Sequence, residues 1–277
     1  ATLYLLVRFC SVAMKKAMLL QDLCEVLGVW SEDEGFDHLR IGLRLSLSMA
    51  LNRSLLHLTL YGTHVSEWIW ISLSEALKHN TMLKSIKLLR CASMENVCVT
   101  AMARALKVNN TLESFYIDLT GCHNVENDGV MAMADALKMN STLKSYHIDL
   151  IDCFNVQNDG VWAMADVLRM NSTLRSYHID FGRCDNVHND AIMAMAYALK
   201  INNTLECYHL NVSDCAYVQN EGVMSMADAL KVNRTLRSYH IDLHGCENVQ
   251  NEGVMAMAGA LMVNRTLESF YIRSEEH

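Results

Sequence analysis

The stretch GVMAMADALKMNSTLKSYHIDLIDC runs from Gly129 to Cys153, and close copies of it begin at Gly160, Ala191, Gly222 and Gly253. Successive copies are 31 residues apart. A fixed period of this length is typical of a repeat array in which each copy forms one supersecondary unit. The 277-residue chain is therefore predicted to form an array of repeats and not two unrelated globular domains.

An asparagine precedes each apolar strand pattern, and it extends the count of units beyond the five close copies. The intervals between these asparagines are 28, then 29, then 31 residues five times over. They are Asn52, Asn80, Asn109, Asn140, Asn171, Asn202, Asn233 and Asn264. The sequence thus predicts eight units with one strand each.

Each unit contains a short alternating segment. Leu112 leads into Phe115, Ile117 and Leu119, which are apolar at every second position, while Tyr116 and Asp118 point the other way. This alternation predicts a strand that is buried on one side. Cys122 and Val125 follow at positions that suit inward anchors of the turn.

A helix pattern completes the unit. In NDGVMAMADALKMN, apolar residues recur at helical spacing, with Asn127 or Asp128 as candidate N-caps. Asn140 stands just past the helix, where asparagine tolerates a left-handed C-cap. Strands joined through helices lie parallel, and a unit this small needs neighbours on both flanks to bury its apolar side.

The repeat resembles a known family. GVMAMADALKMNSTLKSYHI is similar to the helix and strand of a ribonuclease-inhibitor-type leucine-rich repeat, in which a glycine opens the helix, an AL pair closes it and NxTL leads into the strand. The CxxVxNDG turn resembles cysteine-containing leucine-rich repeats. The resemblance covers about Gly35 to Ile272 and implies a right-handed α/β horseshoe of about eight repeats of 28–31 residues. Parallel strands would line its concave face and helices its convex face.

Two segments complete the predicted domain organisation. Residues 1–34 do not align with the repeat and are expected to form an N-terminal helical cap or the end of a preceding domain, and residues 35–277 the repeat domain. No segment of the apolar start reaches the roughly 18 to 20 uncharged residues of a spanning helix, and no signal-peptide pattern precedes it.

Composition narrows the class of partner. The chain has 31 acidic and 23 basic residues, a net charge of −8, which argues against nucleic acid and anionic membranes and favours a basic protein. Five of the ten cysteines recur at one position of the repeat: Cys122, Cys153, Cys184, Cys215 and Cys246. This regularity indicates packing positions and a reducing, cytoplasmic compartment.

Strand parity predicts which side chains form the concave binding face. Four histidines and the residues two places further on lie along it, flanked by tyrosines at either end. The residues are Tyr116, Asp118, His147, Asp149, His178, Asp180, His209, Asn211, His240, Asp242, Tyr271 and Arg273. This row suits ligand recognition, a pH response of adjacent imidazoles, or simply a solvated polar face.

Four other functional features can be assessed from the sequence: a metal site, an exposed tryptophan, a column of methionines and a reactive cysteine. A metal is not expected, because ligands on a nearly flat sheet do not converge easily. Trp68 is a possible exposed anchor in the turn before a helix, and the column Met131, Trp162, Met193, Met224 and Met255 is expected to pack between helices, with an exposed docking strip as the alternative. Cys207, beside Glu206, is the cysteine to test first for reactivity.

No common enzyme motif (GxxxxGK[ST], GxGxxG, HExxH or GxSxG) is present, and identical units present the same side chains repeatedly. We therefore expect a non-enzymatic protein-binding scaffold without a small-molecule cofactor, whose concave face meets a basic partner. One alternative is a structural subunit fixed in a large assembly. Another is the ligand-sensing end of an immune-type NTPase switch protein.

Overall fold

The computed structural model describes residues 49, 52–62 and 65–274. Within them, eight five-residue strands alternate with seven helices of 13 residues. The strands are β1 (His57–Tyr61), β2 (Ser85–Leu89), β3 (Ser114–Asp118), β4 (Ser145–Asp149), β5 (Ser176–Asp180), β6 (Cys207–Asn211), β7 (Ser238–Asp242) and β8 (Ser269–Arg273). The helices are α1 (Glu67–His79), α2 (Asn96–Val108), α3 (Asn127–Met139), α4 (Asn158–Met170), α5 (Asn189–Ile201), α6 (Asn220–Val232) and α7 (Asn251–Val263).

All eight strands form one parallel sheet in chain order, so each repeat lies directly beside the next. The register aligns equivalent residues, as in Tyr146 with Tyr177 and His147 with His178. Strands are spaced ~4.8 Å apart, whereas packed helices need about 8 to 10 Å. The strand side is therefore the shorter, concave side. The predicted α/β leucine-rich-repeat solenoid is confirmed.

The core lies between the sheet and the helices. Phe115 and Ile117 of β3 are fully buried, as are Val130, Met133 and Leu137 of α3. At the Phe115 position, aromatic rings of neighbouring strands stack with centroids about 6 Å apart, in one group of three rings from Phe115 to Tyr177 and another from Tyr208 to Phe270. The alternation predicted for the strand is confirmed, because the residues between these buried positions face away from the helices.

Helix starts differ from the prediction. Asn127 is the first residue of α3, and Glu126 occupies the N-cap position with no side-chain cap bond. The Asn127 Oδ1 atom instead accepts hydrogen bonds from the backbone N–H groups of Gln157 and Gly160, at the start of α4. The asparagine therefore caps the helix of the following repeat, because the stacking of repeats places it beside those unpaired donors.

The asparagine after each helix also differs from the expected left-handed cap. Asn140 has extended backbone, with φ −76° and ψ 126°. Its buried amide donates to the carbonyls of Leu106 and Asn109 in the preceding repeat and accepts from the N–H groups of Thr142 and Leu143. Equivalent bonds at neighbouring repeats make a ladder of asparagines along the array.

The recurrent cysteines point into the core as predicted. Cys122 and Cys153 are buried, and the Cys153 thiol donates to the Leu119 carbonyl of the preceding repeat at 3.3 Å. Burial raises the pKa of each of these two thiols to about 12. They are therefore packing groups and not reactive nucleophiles.

Residues 1–34, for which a helical cap or preceding domain is predicted, lie outside the described residues. None of the described helices is long and apolar enough to cross a membrane.

Candidate functional site

Six aromatic rings run across the concave face at the central position of β3 to β8. The four imidazoles lie nearly parallel. The centroids of consecutive rings are 3.5 Å apart for His147 and His178, 3.6 Å for His178 and His209, and 3.7 Å for His209 and His240. Tyr116 meets His147 edge-on at 4.2 Å, and Tyr271 follows His240 at 4.1 Å. We call these six residues the ring stack.

The ring stack exists because the sheet register aligns one outward position of every repeat. Parallel pairing places His147 opposite both Tyr116 and His178. The rings stack more closely than the spacing of the strands, so each imidazole shields its neighbours from water. The predicted row of side chains is thus brought together as one continuous surface.

The carboxylate of Asp149 lies beside the first three rings of the ring stack. Its Oδ1 atom is 2.7 Å from His147 Nε2 and 3.9 Å from His178 Nε2, while Oδ2 accepts a hydrogen bond of 2.7 Å from the Tyr116 hydroxyl. Burial opposes ionisation of Asp149, but the interactions with His147 and Tyr116 outweigh it and hold the pKa of Asp149 below its ordinary value.

Asp180 has the same position in the next repeat but different partners. Its oxygens accept hydrogen bonds from the Gly182 N–H and from the Asn211 side chain, each at 2.8 Å. Burial raises the pKa of Asp180 to about 6, against the effect of these two bonds and with a smaller contribution from the charge of Asp149. Asp180 was expected to face a partner, but it is buried and bonded within the protein.

The outer members of the row are also tied to the protein. Asp118 accepts hydrogen bonds from the N–H groups of Thr120 and Arg90, and Asp242 accepts one from the N–H of His244. The Arg273 guanidinium lies 3.5 Å from the Asp242 carboxylate, whose side chain is 14% exposed. These carboxylates therefore contribute negative potential to the concave face, but they are not free acidic side chains that could reorient toward a ligand.

Burial disfavours the charged form of three of the four imidazoles. Burial, reinforced by the neighbouring histidines, lowers the pKa of His178 to about 3, and burial with the adjacent His240 lowers that of His209 to about 4. Burial also lowers the pKa of His240. At His178 and His209, desolvation therefore exceeds the attraction of the carboxylates.

Three side chains of the face converge, which strand parity alone did not indicate. The ligand atoms of His147, Asp149 and His178 all lie within 4.8 Å of one another. Ligand atoms on the nearly flat sheet were expected to stay apart, but adjacent strands bring two imidazoles and a carboxylate close together.

A second exposed surface lies on the helices. The column Met131, Trp162, Met193, Met224 and Met255 was expected to pack between helices, but its members are between 41% and 71% exposed. The reason is that other positions, such as Val130 and Met133, already fill the space under α3. Trp68 is 60% exposed as predicted, although it lies in the first turn of α1 and not in the preceding turn.

Cys207 is the exposed member of the described cysteines, at the first position of β6. Partial burial and the nearby Glu206 carboxylate raise its pKa. This environment disfavours the thiolate, so the structure gives no support for enhanced reactivity.

Neither a protein-family model nor a curated protein matches this sequence. Solved structures do match. The actin-binding site 2 of leiomodin-1 is 18% identical over 69% of this chain and 86% of that chain, with a TM-score of 0.40. The tropomodulin C-terminal domain of Caenorhabditis elegans is 10% identical over 60% of this chain and 92% of that chain, with a TM-score of 0.46.

A structure of the Rad7 and Elc1 complex in yeast is 13% identical, covering 94% of this chain and 81% of that chain, with a TM-score of 0.30. At these identities and TM-scores, none of the three indicates what the present chain binds.

Proposed function

We propose that this chain is a non-enzymatic scaffold that binds a basic protein segment on its concave face. The observation that carries the proposal is the ring stack, an ordered row of six rings beside a row that contains four carboxylates. Rigid aromatic side chains bind with a small loss of conformational entropy, and they offer both apolar area and hydrogen-bonding atoms.

A guanidinium suits this face better than an anionic group does. Arginine stacks on aromatic rings, and its N–H groups donate to neutral imidazole nitrogens and carboxylate oxygens. Tyr271 ends the described ring stack with 46% of its surface exposed, which leaves a ring for such a contact. The neutral state of His178 and His209 supports the same choice, because it removes positive charge that would repel a basic segment.

Crosslinking mass spectrometry in native extract tests which face is used. Lys87 stands in β2 beside Tyr116 in the sheet register and reports on the concave face, whereas Lys138 of α3 reports on the helix face. We expect partner peptides to be linked through Lys87. Partner peptides linked only through Lys138 would refute the proposed face.

Matched variants then test the chemistry with the partner identified in this way. Asp118→Asn with Asp242→Asn removes two charges from the concave face, and Asp135→Asn with Asp228→Asn removes two from exposed positions of helices. Asparagine keeps one of the two oxygens with which Asp118 accepts from backbone N–H groups, and circular dichroism checks that both double variants are folded. We expect the first pair to weaken binding roughly tenfold at low salt and the second to have little effect. Equal effects of the two pairs would contradict a basic segment on the concave face.

We propose, as a second candidate, that the chain is a structural subunit of an assembly and docks through its helix face. The exposed column of methionines and Trp162 supports this, because soluble monomers seldom expose a continuous apolar row. Replacing Trp162 and Met193 by serine is expected to release the chain from the assembly in a sedimentation assay. Retention in the same fractions would contradict this candidate.

We further propose that the repeats are of the ribonuclease-inhibitor type and that the chain works in a reducing, cytoplasmic compartment. The first proposal is supported by the full 13-residue helix in each described repeat. The second is supported by thiols such as Cys153 and Cys184, which are buried as packing groups. Thiol alkylation under native and denaturing conditions, without reductant, tests the compartment: intact thiols in freshly isolated protein are the expected result.

A further inference from the structure

The convergence of His147, Asp149 and His178 is the feature of the concave face that protein binding does not require. Two imidazole nitrogens and one carboxylate oxygen form a donor set that zinc accepts in proteins. His147 Nε2 and Asp149 Oδ1 are 2.7 Å apart, and a metal ion bound by both atoms would replace their direct contact.

We infer that His147, Asp149 and His178 form a zinc-binding site on the concave face, with at least one coordination position open to water. Zinc bonds of 2.0 to 2.1 Å in tetrahedral geometry place neighbouring ligand atoms about 3.3 Å apart. The distances from Asp149 Oδ1 to the two Nε2 atoms are 2.7 and 3.9 Å, so they lie on either side of this value. A side-chain adjustment of about half an ångström brings both to it.

Coordination also requires His147 to rotate out of its parallel stack on His178, because stacked rings direct their nitrogen lone pairs side by side and not at one point. Their planes are 13° apart, and a nitrogen lone pair lies in the plane of its ring. His147 can tilt because its other neighbour, Tyr116, meets it edge-on and not face to face. The binding of zinc thus exchanges the stacking contact between His147 and His178 for two metal–nitrogen bonds.

Tyr116 supplies the support that a metal-bound carboxylate normally has. Its hydroxyl donates to Asp149 Oδ2, the oxygen that does not face the imidazoles, and so orients Oδ1 toward them. Outer-shell hydrogen bonds of this kind fix the position of the ligand. The arrangement has two ligands from one strand, a third from the next strand and a supporting group from the preceding one.

The other repeats lack one part or another of this arrangement. In the next repeat, both oxygens of Asp180 are bound by Gly182 and Asn211. One repeat further on, Asn211 replaces the carboxylate. After that, Tyr271 stands where a second histidine is needed beside His240. Although four repeats carry a histidine at this position, the full set of two imidazoles and a free carboxylate oxygen occurs among the described residues only at His147, Asp149 and His178.

The inference does not depend on the scaffold proposal, since it requires no protein partner. The test uses the untagged, reduced full chain after treatment with a chelator. Cobalt is added first, because its visible absorption reports coordination geometry, and zinc is then added to displace it. We expect one cobalt ion per chain, with the absorption of a four- or five-coordinate site, and full displacement by one equivalent of zinc.

Four variants locate the site. Asp149→Asn is expected to weaken zinc binding by more than about 100-fold, and Tyr116→Phe by roughly 10- to 100-fold as an outer-shell change. His240→Gln is the matched control within the ring stack, and Cys207→Ser is the control for the exposed thiol. Both controls are expected to keep the affinity of the unmodified chain.

Circular dichroism confirms that each variant is folded. The inference is overturned by any of three results: no saturable one-to-one binding, equal losses in Asp149→Asn and His240→Gln, or loss of binding in Cys207→Ser. The second result would mean diffuse binding along the histidines, and the third would place the metal at the thiol.

Discussion

The asparagine ladder should contribute a large part of the stability of the array, and Asn140→Ala measures its contribution. The Asn140 amide is 4% exposed and joins two repeats. It donates to the carbonyls of Leu106 at 2.7 Å and Asn109 at 3.0 Å, and it accepts from the N–H groups of Thr142 at 2.9 Å and Leu143 at 2.8 Å. Alanine removes all four bonds and offers no replacement.

The expected loss follows from these four bonds. Each buried hydrogen bond contributes a net 0.5 to 1.5 kcal/mol, so the variant should lose about 4 kcal/mol of unfolding free energy. Single domains are stable by about 5 to 15 kcal/mol, which makes this a substantial fraction. Asn155→Ala is the matched control: the exposed Asn155 makes one side-chain bond, to the His123 carbonyl, and should lose less than about 1 kcal/mol.

Urea unfolding followed by circular dichroism compares the two variants, and hydrogen exchange follows the amides of Thr142 and Leu143 directly. In Asn140→Ala these two amides should exchange much faster, whereas in Asn155→Ala they should keep their protection. If Asn140→Ala loses no more stability than Asn155→Ala, the reasoning that the ladder joins the repeats is refuted.

Three further comparisons test a buried thiol, two buried tyrosine hydroxyls and the cap of a helix. Burial raises the pKa of Cys153 from 9.0 to about 12, so the contribution of this thiol to the unfolding free energy is complete below pH 9 and falls as pH rises toward 12. Cys153→Ala should therefore reduce the loss of stability in this alkaline range by about 1.4 kcal/mol per pH unit, as measured by urea unfolding. The Tyr146 hydroxyl is buried with no hydrogen-bond partner among the described residues, whereas that of Tyr177 donates to a helix carbonyl at 2.9 Å. Thermal unfolding should therefore show Tyr146→Phe to be neutral or stabilising by about 1 kcal/mol and Tyr177→Phe to be destabilising by about as much. A Cβ at Gly259 meets no described atom within 4 Å, so Gly259→Ala should stabilise its helix by up to about 1 kcal/mol. Gly222→Ala places a Cβ 2.5 Å from Asn189 Oδ1, the oxygen that caps its helix, and should destabilise the protein. The opposite order of melting temperatures would contradict this account of the cap.

The strands could be predicted from sequence because their signal is local. In SYHID of β4, the alternation of Tyr146 and Ile148 with polar residues determines which side is buried, and Asn140 marks the approach to the strand. The helix boundaries and their caps were harder to predict from the sequence. Asn127 caps a helix whose first residue lies 31 positions later, and Asn140 is held extended by carbonyls of the preceding repeat, so neither role is written in the adjacent residues.

The same limit applies to the candidate site. Parity placed the six rings on one face correctly, since each strand shows its own alternation. It could not distinguish Asp149 from Asp180, because both end the identical segment SYHID. Their difference arises from neighbours: a tyrosine hydroxyl reaches Asp149 from the preceding repeat, and Asn211 reaches Asp180 from the following one.

Specific chemistry in this array therefore has to come from the positions where the copies differ. Identical units give a uniform ring stack and a uniform core, which suffice for a rigid surface but would present several equal sites to any ligand. Tyr116 brings a hydroxyl to a carboxylate at a position where the next four repeats have histidine. Asn211 occupies a position that is aspartate or arginine in the other five strands of the ring stack. These substitutions divide a repetitive face into unlike parts. A partner or a metal ion can then bind in one register, and the uniform remainder serves to hold that register in place.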